Sequence, residues 1–343
     1  MNEQNETTAP PHVALQQMLM AGWLSKAISV SSDLQIADHL ANGPRSAQEL
    51  AQATGTDATS LHRLMRALSS VGVFAVDESG HYTHTPVSEL LRSDTPGSLH
   101  GMSRLFGHTS HWAAWENLEH SVRTGAPAFD HTFGADFFTY AAQNPETQTV
   151  FNTAMTSIAT SVHSTVAHCY DFSGIETLLD VGGGHGSLIS AILTQNPAMK
   201  GILFDLPHVV AGAGELLVQR GTSERVETVG GNFFESLPNG ADAVIMSMVI
   251  HDWDDERSIK ILRNCHQALK PGGKVLLVEM VVPNTADPSP AKFMDLNMLV
   301  MTPGGRERTQ SEYNALYEKS GFKLTHIVST PSPISVVEGI RID

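Results

Sequence analysis

The chain has 343 residues, enough for two domains of ordinary size. Lys and Arg number 21 against 36 Asp and Glu, and the resulting formal charge of −15 opposes any surface that must neutralise phosphates, so nucleic acid is not an expected partner. Cys169 and Cys265 are the only cysteines and build no disulfide framework, the polar start Met1–Glu6 lacks both parts of a secretory signal, and the longest apolar stretches fall far short of the roughly 20 residues that span a bilayer. A cytoplasmic protein with no membrane segment is expected.

Residues 1–11 are polar, end in Pro10-Pro11 and read as an arm. Leu15, Met18, Leu19, Trp23 and Ile28 then recur at helical spacing, an apolar face ahead of the core that suggests a partner subunit; packing on its own domain is the alternative. Ser46-Ala47-Gln48-Glu49 is a capping box, and Asp57 precedes a helix with Leu61, Leu64, Met65 and Leu68 on one face. The run Val71–Val76, the turn Asp77–Gly80 and the alternating stretch His81–Thr85 complete a winged helix. Such a unit often reads DNA, so a ligand-sensing regulator is the rival reading. Between Asp33 and Thr95, however, four basic residues face eight acidic ones, a poor surface for gripping phosphates.

From about Pro96 to Ser173 the sequence reads as helical, with a break around Gly125–Asp130, and suits a linker that also walls a pocket. Beyond Ser173-Gly174, short apolar runs (Thr177–Val181, Gly201–Phe204, Ala243–Met248, Lys274–Glu279) alternate with helical stretches, the pattern of a parallel sheet covered by helices. The expected division is a winged-helix domain over 1–100, a helical linker and pocket region over 101–172, and a doubly wound α/β domain over 173–343.

Thr177–Val181 runs straight into Gly182-Gly183-Gly184-His185-Gly186, where glycines at a strand–helix turn let backbone amides approach a ligand. The dinucleotide spacing G-x-G-x-x-G fails, because Ser187 occupies the last glycine position, so NAD ranks second to another nucleoside cofactor. Asp205 ends the next strand, 23 residues after Gly182, where a carboxylate can accept both hydroxyls of a ribose; the alternative is that it only caps the helix begun at Leu206-Pro207. In Gly230–Phe234 a side-chain amide and a ring could flank an adenine, though the segment by itself is an ordinary turn.

The strand Ala243–Ile250 ends in His251, and the strand Lys274–Val278 ends in Glu279. Two apolar strands that each close on an ionisable side chain predict a pair at the carboxyl edge of the sheet. Such a histidine can take the proton of a phenol, whose pKa is about 10, while a carboxylate fixes the imidazole tautomer. No metal is required: Asp254 and Asp255 open a helix, which accounts for that acidic cluster through capping, and the pairs His81/His84 and His108/His111 lack a third ligand.

Taken together, Leu179–Gly186, Phe204-Asp205-Leu206-Pro207, Gly231–Phe234, His251-Asp252-Trp253 and Pro303–Thr309 resemble the small-molecule O-methyltransferases of the plant-caffeate and bacterial-polyketide type, in order and spacing over nearly the whole chain. The resemblance implies a class I Rossmann-like methyltransferase sheet, S-adenosylmethionine as cofactor, a homodimer through the N-terminal winged helix, and an aromatic hydroxyl as acceptor. It implies His251 as base with Glu279 and Glu307 orienting it. Asp180, Gly182, Gly184, Asp205, Leu206, Asn232, Phe233, Ser247 and Trp253 match cofactor positions, and Phe151, Met155, Asp252, Met298 and Thr302 match acceptor positions. Asn232 stands where the family usually has Asp, and Ser247 replaces a basic residue common in the plant branch, which points to the bacterial branch. Relatives of this type have also drifted to C- or N-methylation.

Overall fold

The computed structural model describes residues 10–343 apart from Pro96 and the side chain of Thr160. The arm expected over 1–11 therefore lies outside the described residues as far as Ala9, and Pro11 already belongs to the first helix, Pro11–Asp33. The chain forms two compact units: residues up to Trp112 with Asn144–Ile158, and Ala113–Gln143 with Ala159–Asp343.

In the first unit both expected helix starts form. Ser46 Oγ accepts the Glu49 amide while Glu49 Oε2 accepts the Ser46 amide, and Asp57 caps Ala58–Ser70 through the Ser60 amide. Leu61, Met65 and Leu68 sit one helical turn apart and are buried with Ile36, Leu40, Leu50, Phe74 and Tyr82. Strands β1 (Phe74–Val76) and β2 (Tyr82–His84) pair antiparallel as the wing. Val71 is not part of that wing: it ends the preceding helix, is 56% exposed, and the left-handed Gly72 turns the chain after it. On the first helix Leu15, Met18, Leu19 and Trp23 are 57–75% exposed, so this apolar face finds no cover among the described residues.

The second unit carries an eight-stranded sheet. Its strands are β3 (Thr177–Val181), β4 (Lys200–Asp205), β5 (Val226–Gly230), β6 (Ala241–Ser247), β7 (Leu269–Val282), β8 (Arg308–Thr309), β9 (Phe322–Ser329) and β10 (Ile334–Arg341). The order is β5-β4-β3-β6-β7-β10-β9, with β8 beside the end of β7. The strands β3 to β7 pair in parallel, and Leu178, Leu179 and Val181 are fully buried, as a strand covered on both faces requires.

Three expectations are corrected here. The sheet is not wholly parallel, because only four residues join β9 to β10, too few for a parallel crossover, and β10 pairs antiparallel with both neighbours. The helical break is confined to Gly125–Pro127, since Ala128–Phe133 is helical. The strand carrying the histidine stops at Ser247, and β7 runs past Glu279 to Val282, so neither residue closes its strand. Among the described residues no helix is long and apolar enough to cross a membrane.

Candidate active site

Because β3, β4, β5, β6 and β7 run the same way, their carboxyl ends share one edge of the sheet, and the second unit gathers its functional side chains there. At the end of β3, Gly182 (φ 70°) and Gly184 (φ 60°) adopt the left-handed conformation that glycine holds without steric cost. A Cβ on Gly182 would stand 2.9 Å from Val249 Cγ2, whereas Gly184 faces open space. Asp180 lies beneath this turn, almost fully buried; its Oδ2 accepts the Ile189 amide at 3.3 Å and its Oδ1 has no protein partner. Burial pushes its carboxyl up to about 7.

Asp205 ties the next strand end to the glycine turn. Its Oδ2 accepts the Gly184 amide at 2.8 Å and its Oδ1 the Leu206 amide at 2.7 Å, which leaves each oxygen a further lone pair. It does not cap the helix Pro207–Val210, where Leu206 is the preceding residue, 45% exposed. At the end of β5, Asn232 Oδ1 accepts the Phe234 amide at 3.0 Å and so shapes its own turn. Asn264 grips the Phe233 carbonyl at 2.7 Å, and the Phe234 and Trp253 rings meet edge to face at 4.9 Å. At the end of β6 the Ser247 hydroxyl is buried without a partner among the described residues. A left-handed glycine turn, a carboxylate with spare lone pairs and two orphaned polar groups on one sheet edge fit a nucleoside cofactor.

The chain then leaves β6 through Met248, a non-glycine residue at φ 52°, a conformation that is uncommon for residues with a side chain. The next residues form a single tight turn, Ile250–Asp252. Glu279, fully buried inside β7, fixes that turn by accepting the Val249 and Ile250 amides at 3.2 and 2.9 Å. His251 Nδ1 lies 2.9 Å from Glu307 Oε1 and 3.6 Å from Glu279 Oε2, and its Nε2 lies 3.7 Å from Asp252 Oδ1. Burial alone would lower the pKa of His251; the carboxylates of Glu279, Asp252 and Glu307 reverse this and raise it to about 10. Burial also raises the pKa of Glu279, to about 7, and that of Asp252. Thus His251, Glu279 and Glu307 do meet, although Glu279 reaches the histidine from within its strand.

These three residues offer ligand atoms within 4.8 Å of one another. The shortest distance is the 2.9 Å hydrogen bond from the imidazole to Glu307, so a metal ion would have to replace that bond. The arrangement suits a base held by carboxylates.

Glu307 is delivered by Pro303–Thr309. A Cβ on Gly305 would stand 2.1 Å from Thr302 Oγ1 and 2.7 Å from the His251 carbonyl, so only glycine lets the two segments touch, and the Arg306 amide donates to that carbonyl at 2.8 Å. The Glu307 amide donates to Asp295 at 3.0 Å. Met298, on the helix Pro290–Met301, and the adjoining Thr302 are buried, with the Thr302 hydroxyl bonded to the Met298 carbonyl. Phe151 and Met155 belong to the first unit, where they pack on Leu105, Val150 and Ala154. The sequence gives no sign of the backbone of Met248, for which no residue type gives a signal, and the reading assigned no role to Arg308, although a cation beside Glu307 was legible in Pro303–Thr309.

The sheet order and this edge fit an enzyme with a nucleoside cofactor, and the matches that follow make it an S-adenosylmethionine-dependent methyltransferase. Residues 115–323 match the sequence model of the O-methyltransferase domain, residues 17–94 match that of the O-methyltransferase dimerisation domain, and the chain belongs to this O-methyltransferase family. It is similar to a phenazine O-methyltransferase of Lysobacter antibioticus, 42% identical over 98% of this chain and 99% of the relative. A mitomycin biosynthesis 6-O-methyltransferase of Streptomyces lavendulae is 39% identical, covering 94% and 93%. The crystal structure of a calicheamicin-biosynthesis methyltransferase with SAH bound superposes with a TM-score of 0.87 at 31% identity, covering 96% of this chain and 98% of that one.

Proposed function

We propose that this enzyme transfers a methyl group to a hydroxyl of an aromatic small molecule, with His251 as the base. The observation that carries this reading is the 2.9 Å contact between His251 Nδ1 and the buried Glu307. With Nδ1–H donated to Glu307, Nε2 is the nitrogen free to take the hydroxyl proton, and the buried carboxylates stabilise the imidazolium that forms. The carboxylates around His251 raise its pKa, which makes the neutral imidazole a stronger base toward a phenol, whose pKa is about 10. S-adenosylmethionine supplies the electrophilic methyl on its sulfonium.

For the cofactor, the residues that would hold it are Gly182, Gly184, Asp205 and Leu206 on the ribose and backbone side and Asn232, Phe233 and Trp253 around the adenine, with Asp180 and Ser247 offering unpaired buried oxygens. Asp252, beside Nε2, the apolar Met298 and Thr302, whose hydroxyl is already bonded to the Met298 carbonyl, suit a flat acceptor. For Phe151 and Met155 an acceptor-binding role rests on the resemblance alone; a raised acceptor KM in Phe151→Ala supports it and an unchanged KM rejects it. The aromatic hydroxyl acceptor is favoured by the phenazine and mitomycin relatives. Incubation with methyl-labelled S-adenosylmethionine and a panel of phenols, hydroxyquinones and aromatic amines tests this: label on oxygen supports it, and label found only on nitrogen or carbon refutes it.

The exposed Leu15, Met18, Leu19 and Trp23, all but Leu15 within the dimerisation-domain match, support a homodimer. Light scattering should give twice the monomer mass, and Trp23→Asp should shift it toward monomer. The acidic winged helix supports a partner-binding role and not a DNA-binding one. The two free cysteines suit a reducing compartment, and cytoplasm is the location we take, to be checked by cell fractionation.

A further inference from the structure

Arg308 is the largest side chain fully enclosed by protein among the described residues. It stands on β8, which pairs in parallel with β7 at Val281 and Val282. Its guanidinium donates to the Ile250 carbonyl at 3.0 Å, the Trp253 carbonyl at 2.8 Å, Ser258 Oγ at 3.3 Å and Asp255 Oδ1 at 2.9 Å. The two carbonyls bracket His251. The preceding residue, Glu307, holds the imidazole, and the one before it, Arg306, holds the His251 carbonyl through its amide. Three consecutive residues that lead into β8 thus grip the turn that carries His251, from its ring, its backbone and both of its flanks.

This grip has something to oppose. The turn follows a left-handed Met248, and without Arg308 the buried Ile250 carbonyl would lose its side-chain donor. Only a planar guanidinium offers donors in enough directions to reach two carbonyls, a carboxylate and a hydroxyl together; a lysine ammonium in the same place cannot span them. We infer that Arg308 is a positioning residue for the base, keeping the His251 turn in register with Glu307. This rests on the reading of His251 as the base.

The test is a double-mutant cycle on kcat at saturating substrate, measured above the acid limb of the pH profile, with Glu307→Gln as the second arm. Arg308→Met should lower kcat about 10- to 100-fold, the scale of a misplaced general base. In the Glu307→Gln background the same substitution should cost less than about threefold, because the register it protects no longer carries a charge pair. Fully multiplicative losses would overturn the inference. If Arg308→Met does not fold, Arg308→Lys enters the same cycle, with a smaller but equally non-multiplicative loss expected. His251→Ala run alongside separates the two claims: if that variant keeps full turnover, the base reading fails first; if it is inactive while the cycle is multiplicative, only the role of Arg308 fails.

Discussion

Glu307→Gln changes one charge and almost no volume, and it probes the contact on which the chemistry turns. The carboxylate lies 2.9 Å from His251 Nδ1 and is buried, so the hydrogen bond is charge-assisted in a medium that screens it weakly. A hydrogen bond to a charged partner contributes about 1.5–3 kcal/mol, and one pKa unit is about 1.4 kcal/mol, so removing the charge should lower the raised pKa of His251 by about one to two units. The sign follows from the role: a base works deprotonated, so the acid limb of the kcat/KM profile sits at its pKa, and a lower pKa moves that limb to lower pH. Above the limb the variant is slower, by at most about 10- to 150-fold, because the imidazolium is less stabilised. Rate–pH profiles of wild type and variant, with product quantified chromatographically, measure both quantities. An acid limb that stays in place in Glu307→Gln would refute the electrostatic account of this pair.

The other predictions concern the cofactor turn, the close contact and the far end of the sheet. Asp205→Ala should weaken S-adenosylmethionine binding about 10- to 100-fold in calorimetry, since it removes two charge-assisted acceptors and frees the Gly184 amide; unchanged affinity would defeat the ribose assignment. Gly305→Ala should destabilise the fold by about 1–3 kcal/mol, read as a lowered unfolding midpoint, because its methyl collides with Thr302 and the His251 carbonyl; an unaltered midpoint would show that these segments move apart freely. At Glu338 burial alone would raise the pKa, but hydrogen bonds from Thr325, Tyr170, Lys274 and His326 outweigh it and hold the carboxyl at about 2. A depressed carboxylate stabilises the fold above its unfolded value of about 4.5, and that contribution is lost as pH falls toward 2. The stability gap between wild type and Glu338→Gln should therefore shrink over this range, and a constant gap would contradict the network.

Much of this architecture is written in local patterns. Thr177–Val181 is legible as a strand because four of its five residues, all but Asp180, are apolar or β-favouring and the run leads into a glycine cluster, and Ser46, Asp57 and Asp254 announce their helices because capping depends on residues three positions apart. What depends on distant pairing is less legible. The antiparallel direction of β10 follows from the length of the connection from β9, and Glu279 was found at the right place for an incomplete reason: it reaches His251 from inside β7 and also holds the amides of the turn. The partnership of His251 with Glu307 spans 56 residues, and no periodicity or spacing connects them; only the resemblance of Pro303–Thr309 to a family motif brought Glu307 into view. Met248 was invisible because its backbone conformation is imposed by the surrounding turn and not by its side chain.

The central claim is that His251 takes the proton while other residues hold the cofactor, and one variant separates these duties. His251→Ala should bind S-adenosylmethionine as wild type does in calorimetry, yet transfer labelled methyl to a phenolic acceptor about 10²- to 10⁴-fold more slowly. Turnover near the wild-type rate in that variant would contradict the account.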